Sequence, residues 1–358
     1  MQLAFYAPMK PPDHPVPSGD RSIARSLIAA LAHMGAEVTV ASTLRSRDGK
    51  GDTGTQAKLF ALARAEVDRL IPFGQSAGWQ AWITYHNYYK APDLIGPAVS
   101  KALGIPYLQI ESTRARKRLT GPWAGFAQAA EAAADAADVA FYFSTRDAVG
   151  LHENARPTQR LIHLRPFLPT AVIRPKQAGN GRMLSVGMMR QGDKLASFQI
   201  IAQTLALLTD PDWQLDIAGD GPARAEVEHL MSPFGSRVRF LGQLDANALQ
   251  NAYQDASLMF WPGVNEALGM VYLEAQAASL PIVAQDRPGM REVLAPGSYP
   301  TPEKGAPGLA VVIDDLLAQP LKRQSMGRAA QGYIAANHLM PSAADVLRRG
   351  LASTGVTA

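Results

Sequence analysis

Cysteine is absent from this chain of 358 residues. The absence excludes disulfide bonds and thiolate metal sites, and it is compatible with a reducing compartment. Charged residues are also sparse, at 18%, whereas 47% of the residues are hydrophobic. No apolar run is long enough to span a membrane, and the N-terminus MQLAFYAPMK lacks the basic and apolar regions of a signal peptide. We therefore expect a globular, cytoplasmic protein.

Metal-binding and nucleic-acid-binding patterns are missing as well. No spaced cluster of Asp and His suits a divalent ion, and no nucleic-acid-binding module occurs. The net charge is only +4, and its excess lies in the first half, much of it in one cluster: Arg114, Arg116, Lys117 and Arg118. With Trp123 and Phe126 close behind, this cluster suits peripheral contact with an anionic membrane or an acidic acceptor, although a solvated loop would have the same composition.

Short apolar strands alternate with helical patterns from end to end, which predicts parallel sheets covered on both faces. The series restarts after a proline-rich break at 166–175. The sequence therefore predicts two Rossmann-like doubly wound α/β domains, residues 1–168 and 169–335, that face a central cleft, and a helical segment, 336–358, that packs back on the first domain. The predicted strands are Leu3–Ala7, Glu37–Ser42, Ala81–Tyr85, Tyr107–Ile110, Val139–Phe143, Met183–Val186, Gln214–Ala218, Val238–Leu241, Leu258–Trp261 and Ile282–Ala284.

The segment from Asn265 to Val293 carries the strongest functional signal. It reads as a loop that contains Glu266, a helix that begins near Gly269 and contains Glu274, and then a strand. A helix that follows a strand in this way directs unpaired N–H groups and the positive end of its dipole outward, which favours a phosphate. Carboxylates near that helix end can reach sugar hydroxyls, although glutamate in a first turn can also serve only to offset the dipole.

The second half resembles the retaining glycosyltransferases of family 4, which have the two-domain GT-B fold. Three stretches carry the resemblance. EALGMVYLE, Glu266 to Glu274, is similar to the family signature E-x-F-G-x-x-x-x-E, with Leu268 at the usual Phe. LDIAGDGPARAEVEHL has the family's strand, Gly-Asp-Gly-Pro turn and helix, and Val238–Pro262 is similar to the stretch that precedes the signature.

The resemblance implies a role for each matching residue of the second half. Glu266 is expected near the transferred sugar, and Glu274 on the ribose of the nucleotide. The family's basic pair, which neutralises the leaving diphosphate, corresponds to Lys194 and Arg190, although Met188 stands where the arginine is usual. The backbone N–H groups expected to hold the diphosphate are those of Leu268, Gly269 and Met270.

The first half matches the family less sharply. Gly19 follows a long loop with five prolines and stands where the family has a glycine pair, of which the other member is Ser18 here. The resemblance implies close approach of Gly19 to the diphosphate, and contact of His86, at a strand end, with the donor sugar or the acceptor. Glu111, after the next strand, is a candidate for acceptor binding.

Together these features imply a metal-independent hexosyltransferase without a cofactor, acting on a nucleotide-sugar donor and a glycan or lipid-linked acceptor in surface polysaccharide or glycoconjugate synthesis. Three alternatives stay open. A dinucleotide-dependent dehydrogenase requires a G-x-G-x-x-G turn, and the nearest candidate ends in Arg224. A nucleotide-sugar epimerase of the same fold is the second alternative. A non-catalytic binding protein is the third, suggested by Met188 and Ser18.

Overall fold

The computed structural model describes residues 1–16, 18–175 and 181–357. It divides into two units, one formed by Met1–Arg165 with Met340–Ala358 and the other by Pro166–Leu339. The predicted boundaries at 168 and 335 fall near these divisions, and the expected cleft between the domains stays a prediction. Pro17 of the proline-rich loop, residues 176–180 of the predicted second domain and Ala358 of the predicted last segment lie outside the described residues.

The first unit contains a six-stranded parallel sheet in the order β2-β1-β3-β4-β5-β6. Its strands are β1 (Gln2–Tyr6), β2 (Glu37–Ser42), β3 (Ala81–Asn87), β4 (Tyr107–Ser112), β5 (Val139–Tyr142) and β6 (Arg160–His163). Its helices are α1 (Gly19–His33), α2 (Thr53–Ser76), α3 (Gly96–Leu103), α4 (Ala124–Ala136), α5 (Thr145–Asn154) and, at the end of the chain, α12 (Met340–Ala352).

Helix α12 is part of the first unit although it comes last in the chain. It packs against α1, and its apolar face is fully buried at Leu347 and Leu351. Gly350 permits the close approach to the sheet, because a Cβ at this position would lie 2.2 Å from the ring of Phe141 in β5.

The second unit contains a five-stranded parallel sheet in the order β11-β10-β7-β8-β9. Its strands are β7 (Met183–Val186), β8 (Leu215–Ala218), β9 (Val238–Gly242), β10 (Leu258–Phe260) and β11 (Ile282–Val283). Its helices are α6 (Asp193–Leu205), α7 (Arg224–Met231), α8 (Ala246–Asp255), α9 (Met270–Ala277), α10 (Gly305–Ala318) and α11 (Pro320–Asn337).

Each sheet has one point at which the strand order reverses. In the second unit the chain runs from β7 outward to β8 and β9, and then continues with β10 on the other side of β7. In the first unit, β2 and β3 lie on opposite sides of β1 in the same way. Doubly wound sheets bind ligands in the crevice at the carboxyl ends of the strands where this reversal occurs. The residues that follow β7 and β10, and those that follow β1 and β3, are therefore the first to consider.

Candidate functional site

The segments that follow β7 and β10 bring Lys194 and Glu266 together. Lys194 lies in the first turn of α6, and Glu266 lies in the loop before α9. The ammonium group of Lys194 donates a hydrogen bond to Oε1 of Glu266, and Nε1 of Trp261 donates to the same oxygen at 2.8 Å. Within the described ranges Oε2 of Glu266 accepts no hydrogen bond. Two predicted site residues thus form one ion pair that keeps a carboxylate oxygen available.

Trp261 holds both partners of this ion pair. The residue directly follows β10 and is fully buried, and its ring centroid lies 5.3 Å from Nζ of Lys194. Its ring packs edge to face against Phe198 of α6. A Cβ at Gly187 would lie 2.5 Å from the indole, so glycine is required there. The sequence analysis predicted no site role for Trp261. The only feature that could have indicated one is an indole N–H donor directly after a strand.

The N-terminus of α9 directs unpaired backbone donors outward. Gly269 precedes the helix with φ 59°, and no side chain caps it. The described hydrogen bonds include none donated by the backbone N–H groups of Leu268, Gly269 or Met270. The helix dipole adds positive potential at the same place. These three predicted residues therefore form a helix end suited to an anion.

Glu274 lies in the second turn of α9, partly buried. Its Oε2 accepts a hydrogen bond of 2.9 Å from the hydroxyl of Tyr253 in α8, and its Oε1 has no partner in the part of the chain that the structure describes. Burial raises the pKa of Glu274 above its usual value, and the hydrogen bond from Tyr253 opposes this only in part. One oxygen is thus fixed and the other can accept a ligand hydroxyl. Tyr253 was missed by sequence reasoning because it lies on another helix.

Arg190 lies in the loop between β7 and α6 and is exposed. Its guanidinium group makes no ion pair with any described residue. Met188, which stands at the position usual for the family's arginine, is 51% exposed. The structure therefore leaves Arg190 as an unpaired cation on the loop that leads into the helix of Lys194, but it does not bring the guanidinium into contact with Glu266.

The Gly-Asp-Gly-Pro turn after β8 supports this loop from beside it. The backbone N–H of Met189 donates to the carbonyl of Asp220 at 2.9 Å. A Cβ at Gly219 would lie 1.9 Å from the carbonyl oxygen of Gly187, and a Cβ at Gly221 would lie 2.3 Å from that of Met189. Both glycines also have φ angles beyond +140°, which disfavour other residues. The turn therefore sets the course of the loop that carries Arg190 and leads into α6.

In the first unit, His86, Glu111 and Asp20 form a second cluster. His86 and Glu111 end the neighbouring strands β3 and β4, and both have left-handed backbone conformations, with φ 66° and 58°. Nδ1 of His86 donates to Asp20 at the start of α1 over 2.9 Å, and Oε2 of Glu111 lies 3.9 Å from the same nitrogen. Positive φ at two non-glycine residues is costly and is typical of functional sites. Two predicted residues are thus brought together, and Asp20 is a residue that sequence reasoning missed.

The charges of this cluster depend on one another. Burial alone would lower the pKa of His86, but the hydrogen bond to Asp20 and the negative charge of Glu111 raise it above its usual value. Burial raises the pKa of Glu111, and the histidine opposes this in part. The hydrogen bond to His86 lowers the pKa of Asp20. Asp20 and Glu111 therefore keep His86 protonated to a higher pH than an ordinary histidine, which is what its raised pKa means.

Replacing Asp20 with asparagine should lower the pKa of His86, because the variant loses the carboxylate that stabilises the imidazolium while the burial remains. The pKa is measured from ring proton shifts in an NMR titration, with His86→Gln used to assign the signal. Asp13→Asn, a change at an exposed residue of the loop that precedes α1, is the matched control and should leave the titration unchanged. An identical His86 titration in both variants would show that Asp20 does not hold the charge.

Ser18 and Gly19 form the start of α1. The hydroxyl of Ser18 caps the helix by accepting a hydrogen bond from the N–H of Arg21 at 3.3 Å. Serine at the position of the family's first glycine is thus explained by helix capping. A Cβ at Gly19 would meet nothing within 4 Å. The space beside this predicted residue is therefore open on the side that a side chain would occupy.

The predicted basic cluster is only partly a surface feature. Arg114 is a correction, because its side chain is only 5% exposed and forms ion pairs with Glu131 and Asp135 of α4. Arg114 therefore connects the loop after β4 to α4, and its buried side chain cannot contact a membrane surface. Arg116 and Lys117 are exposed, and Arg118 is half-buried beside Trp123.

The described residues show neither a metal-binding cluster nor a membrane-spanning helix. The described ranges contain no group of three or more His, Cys, Asp or Glu residues placed to hold a metal ion. Among the helices described, none combines the length and the apolar character that crossing a bilayer requires.

Most of the second unit matches the model of a known protein family. Residues 180–333 match the family model described as glycosyl transferases group 1. A mannosyltransferase of Corynebacterium glutamicum, GDP-mannose-dependent and named for a monoacylated phosphatidylinositol monomannoside, is 30% identical over 145 residues. An alpha-D-kanosaminyltransferase of Streptomyces kanamyceticus is 31% identical over 140 residues. Each match covers 38% of this chain, and the chain spans only 38% and 36% of these relatives.

Solved structures are similar over nearly the whole chain. A glycosyltransferase from Rickettsia africae has a TM-score of 0.71 at 12% identity and covers 98% of both chains. HepE from Anabaena, solved with UDP and glucose, has a TM-score of 0.69 at 15% identity and covers 99% of this chain and 100% of its own. At these identities the likeness shows the fold. Residues 180–333 thus match the glycosyl transferases group 1 model, as the resemblance predicted, and the solved structures confirm the predicted GT-B fold.

Proposed function

We propose that the protein is a retaining, metal-independent glycosyltransferase that moves a sugar from a nucleotide-diphosphate sugar to a glycan or glycolipid acceptor. The observation that carries the proposal is the ion pair of Lys194 and Glu266 beside the open N-terminus of α9. These groups come from the two segments that meet where the strand order reverses. The family of the second unit and the activities named for its relatives support the same reaction class.

The proposed donor site uses each group for one part of the donor. Lys194, Arg190 and the N–H groups of α9 bind the diphosphate. Oε1 of Glu274 accepts a ribose hydroxyl while Tyr253 holds the other oxygen. Oε2 of Glu266 faces the transferred sugar while Lys194 and Trp261 hold Oε1.

The proposed chemistry follows from charge. When the anomeric bond breaks, the sugar becomes positive and the departing diphosphate becomes negative. Lys194 at the start of α6 and Arg190 on the loop before it are cations that can stabilise the negative charge of the leaving group. Protein cations at this position perform the task that a bound metal ion performs in other transferases. His86 contacts the donor sugar or acceptor, and Glu111 the acceptor.

Replacing Glu274 with alanine should weaken the binding of nucleoside diphosphate about 10-fold, because a partly buried ribose hydroxyl loses an acceptor worth roughly 1–3 kcal/mol. Titration calorimetry with UDP, GDP and ADP measures the loss. The control is Glu228→Ala, which removes a glutamate from an exposed ion pair on α7. Equal affinities in the parent and Glu274→Ala would remove the ribose role.

The first experiment on the proposed function is a thermal-shift panel with UDP, GDP, ADP and NAD side by side. Stabilisation by one diphosphate and not by NAD supports a nucleotide-sugar donor and identifies its base. Incubation with a labelled donor then separates the reaction classes, because the label ends on an acceptor, on an epimerised sugar or unchanged on the donor. Repeating the transfer in excess EDTA tests metal independence, and loss of activity that Mg²⁺ or Mn²⁺ restores would contradict it.

The cellular setting belongs to the same proposal. We place the reaction in the cytoplasm, in the synthesis of a surface polysaccharide or glycoconjugate; in support of the glycoconjugate, one relative is named for a phosphatidylinositol monomannoside. Fractionation of cells with a tagged chain tests the location. Recovery outside the cytoplasm and its membrane fraction would contradict it.

A further inference from the structure

A continuous row of aromatic rings begins at His86 and ends beside two cations in the first unit. The ring of His86 lies 5.0 Å from that of Tyr88. Tyr88 lies 5.6 Å from Tyr89, and Tyr89 lies 5.8 Å from Trp123. Such rings can simply pack in a core, but where they are accessible they present apolar faces on which a sugar ring can lie. Tyr88, Tyr89 and Trp123 are all only half-buried, so their surfaces are accessible.

Lys90 and Arg118 lie together at the far end of this aromatic row. Nζ of Lys90 lies 5.6 Å from the ring centre of Tyr89 and 5.3 Å from that of Trp123. The guanidinium carbon of Arg118 lies 5.2 Å and 5.6 Å from the same two centres. Two positive groups are thus held over the same pair of rings, which attract cations but do not neutralise them.

No described carboxylate pairs with either cation. Asp48, whose carbonyl accepts a hydrogen bond from the indole of Trp123, has a buried side chain that accepts four hydrogen bonds within its own loop and from Gln56. Nε of Arg118 is buried and has no hydrogen-bond partner among the described residues. An unpaired pair of like charges with an orphan donor favours an anionic ligand.

The acids of the neighbouring helix are also occupied. Glu131 and Asp135 of α4 both pair with Arg114. Both carboxylates therefore already have a cationic partner. Lys90 and Arg118 therefore keep their positive charges beside the aromatic row.

Three loops hold this cluster in place, and all three follow carboxyl ends of strands. Tyr89 and Lys90 follow β3, Arg118 and Trp123 follow β4, and the Asp48 loop follows β2. The backbone N–H of Asp48 donates to the carbonyl of Lys90 at 2.9 Å. A Cβ at Gly51 would lie 2.6 Å from Pro122. The backbone that carries the cations is therefore held in place, which reduces the ordering required when a ligand binds.

We propose that the acceptor is a saccharide that carries an anionic group, a phosphate or a carboxylate, bound by Lys90 and Arg118 while its sugar rings lie along Tyr88, Tyr89 and Trp123. The inference rests on the proposed glycosyl transfer and names the substrate class of its acceptor side. Because three ring contacts separate His86 from Trp123, the charge lies on a part of the acceptor away from the hydroxyl that reacts near His86. Lys90 and Arg118 are specificity residues and do not touch the reacting atoms.

The test compares two double variants that remove the same charge. Lys90→Met with Arg118→Gln keeps the side-chain stems but removes both ring-held cations. Lys117→Met with Arg116→Gln removes two exposed cations of the same loop that contact neither ring. Binding of glucose 6-phosphate, glucuronic acid and neutral glucose is measured by saturation-transfer NMR, with nucleoside diphosphate present to occupy the donor site. Thermal melting confirms that both variants are folded.

The parent and the Arg116/Lys117 control should bind at least one charged sugar more tightly than glucose, and the Lys90/Arg118 variant should lose about 10-fold or more of that affinity. Preference for the phosphate or for the carboxylate distinguishes a phosphorylated acceptor from an acidic sugar. Equal losses in both variants, or no preference over glucose in the parent, would overturn the proposal.

Two further measurements use anionic phospholipid vesicles and nucleoside diphosphate. Sedimentation with anionic phospholipid vesicles that depends on Lys90 and Arg118, without binding of either charged sugar, would overturn the saccharide in favour of a lipid surface. The thermal shift by nucleoside diphosphate should be the same in all three proteins. A parent without that shift would overturn the proposed donor site, and the difference between the two variants would still decide the anion site.

Discussion

Replacing Lys194 with methionine should lower turnover about 100- to 1000-fold, which corresponds to roughly 3–4 kcal/mol of lost transition-state stabilisation. The change keeps the length of the side chain but removes the charge that faces the departing diphosphate in the proposed reaction. The ground state should suffer less, because Arg190 and the N–H groups of α9 remain to bind the diphosphate. Single-turnover rates at saturating donor measure the loss directly.

The matched control is Lys322→Met, which removes a lysine that pairs with Asp315 on the surface of the same unit. It should leave turnover unchanged. Donor affinity is measured in parallel, because the proposed role predicts a rate effect larger than the binding effect. A loss confined to donor affinity, with unchanged single-turnover rate, would make Lys194 a binding residue and contradict its role with the leaving group.

Replacing Gly219 with alanine should destabilise the second unit by more than about 3 kcal/mol, because both the backbone angle and the available space exclude a side chain. The new Cβ would lie 1.9 Å from the carbonyl oxygen of Gly187, which is backbone and cannot rotate away. Urea unfolding, followed by the combined fluorescence of the five tryptophans, measures the change. Any folded protein that remains should also lose activity, because Gly187 precedes the loop of Arg190.

Gly289→Ala separates the two causes. This glycine also has a positive φ, of 85°, but a Cβ there would meet nothing within 4 Å. It should cost only about 1–2 kcal/mol, the usual penalty for a left-handed alanine. If both variants lost the same stability, the contact between the turn after β8 and the loop after β7 would not be the reason for glycine at position 219.

Most of the sheet architecture was predictable because the inner strands are buried on both faces. Strands such as β3 and β7 appear as short apolar runs between helical patterns, and the structure has ten strands near the predicted positions. The additional strand, β6, escaped prediction because it is an edge strand, with an exposed arginine at its start and only partly buried residues after it. Its polar sequence resembles that of a loop.

The donor-side residues were predictable for a different reason. Glu266, Gly269 and Glu274 lie on one continuous stretch, so their spacing is visible in the sequence alone. Tyr253 and Trp261 were not predictable as partners, because the hydrogen bonds that they donate depend on how α8, β10 and α9 pack. The roles of Glu266 and Glu274 in binding a donor stay predictions.

In the first unit the tertiary contacts were the missing information. His86 and Asp20 are separated by 66 positions in the chain, and nothing local indicates that the start of α1 reaches the end of β3. The basic run wrongly predicted a surface role for Arg114, because the sequence does not reveal that this side chain pairs with Glu131 and Asp135 of α4. Of the four cations, Arg114 pairs with the carboxylates of α4, Arg116 and Lys117 are exposed to solvent, and Arg118 lies against aromatic rings.

The position of α12 has a consequence for the order in which the protein is made. Because the unit that opens the chain is finished by its last helix, the ribosome must translate the whole second unit before the first can be completed. Until then the face of α1 that contacts α12 lacks its cover, while β7 to β11 already have every strand and helix of their own unit. The C-terminal unit is therefore expected to reach its native state first in a nascent chain, the reverse of the usual order.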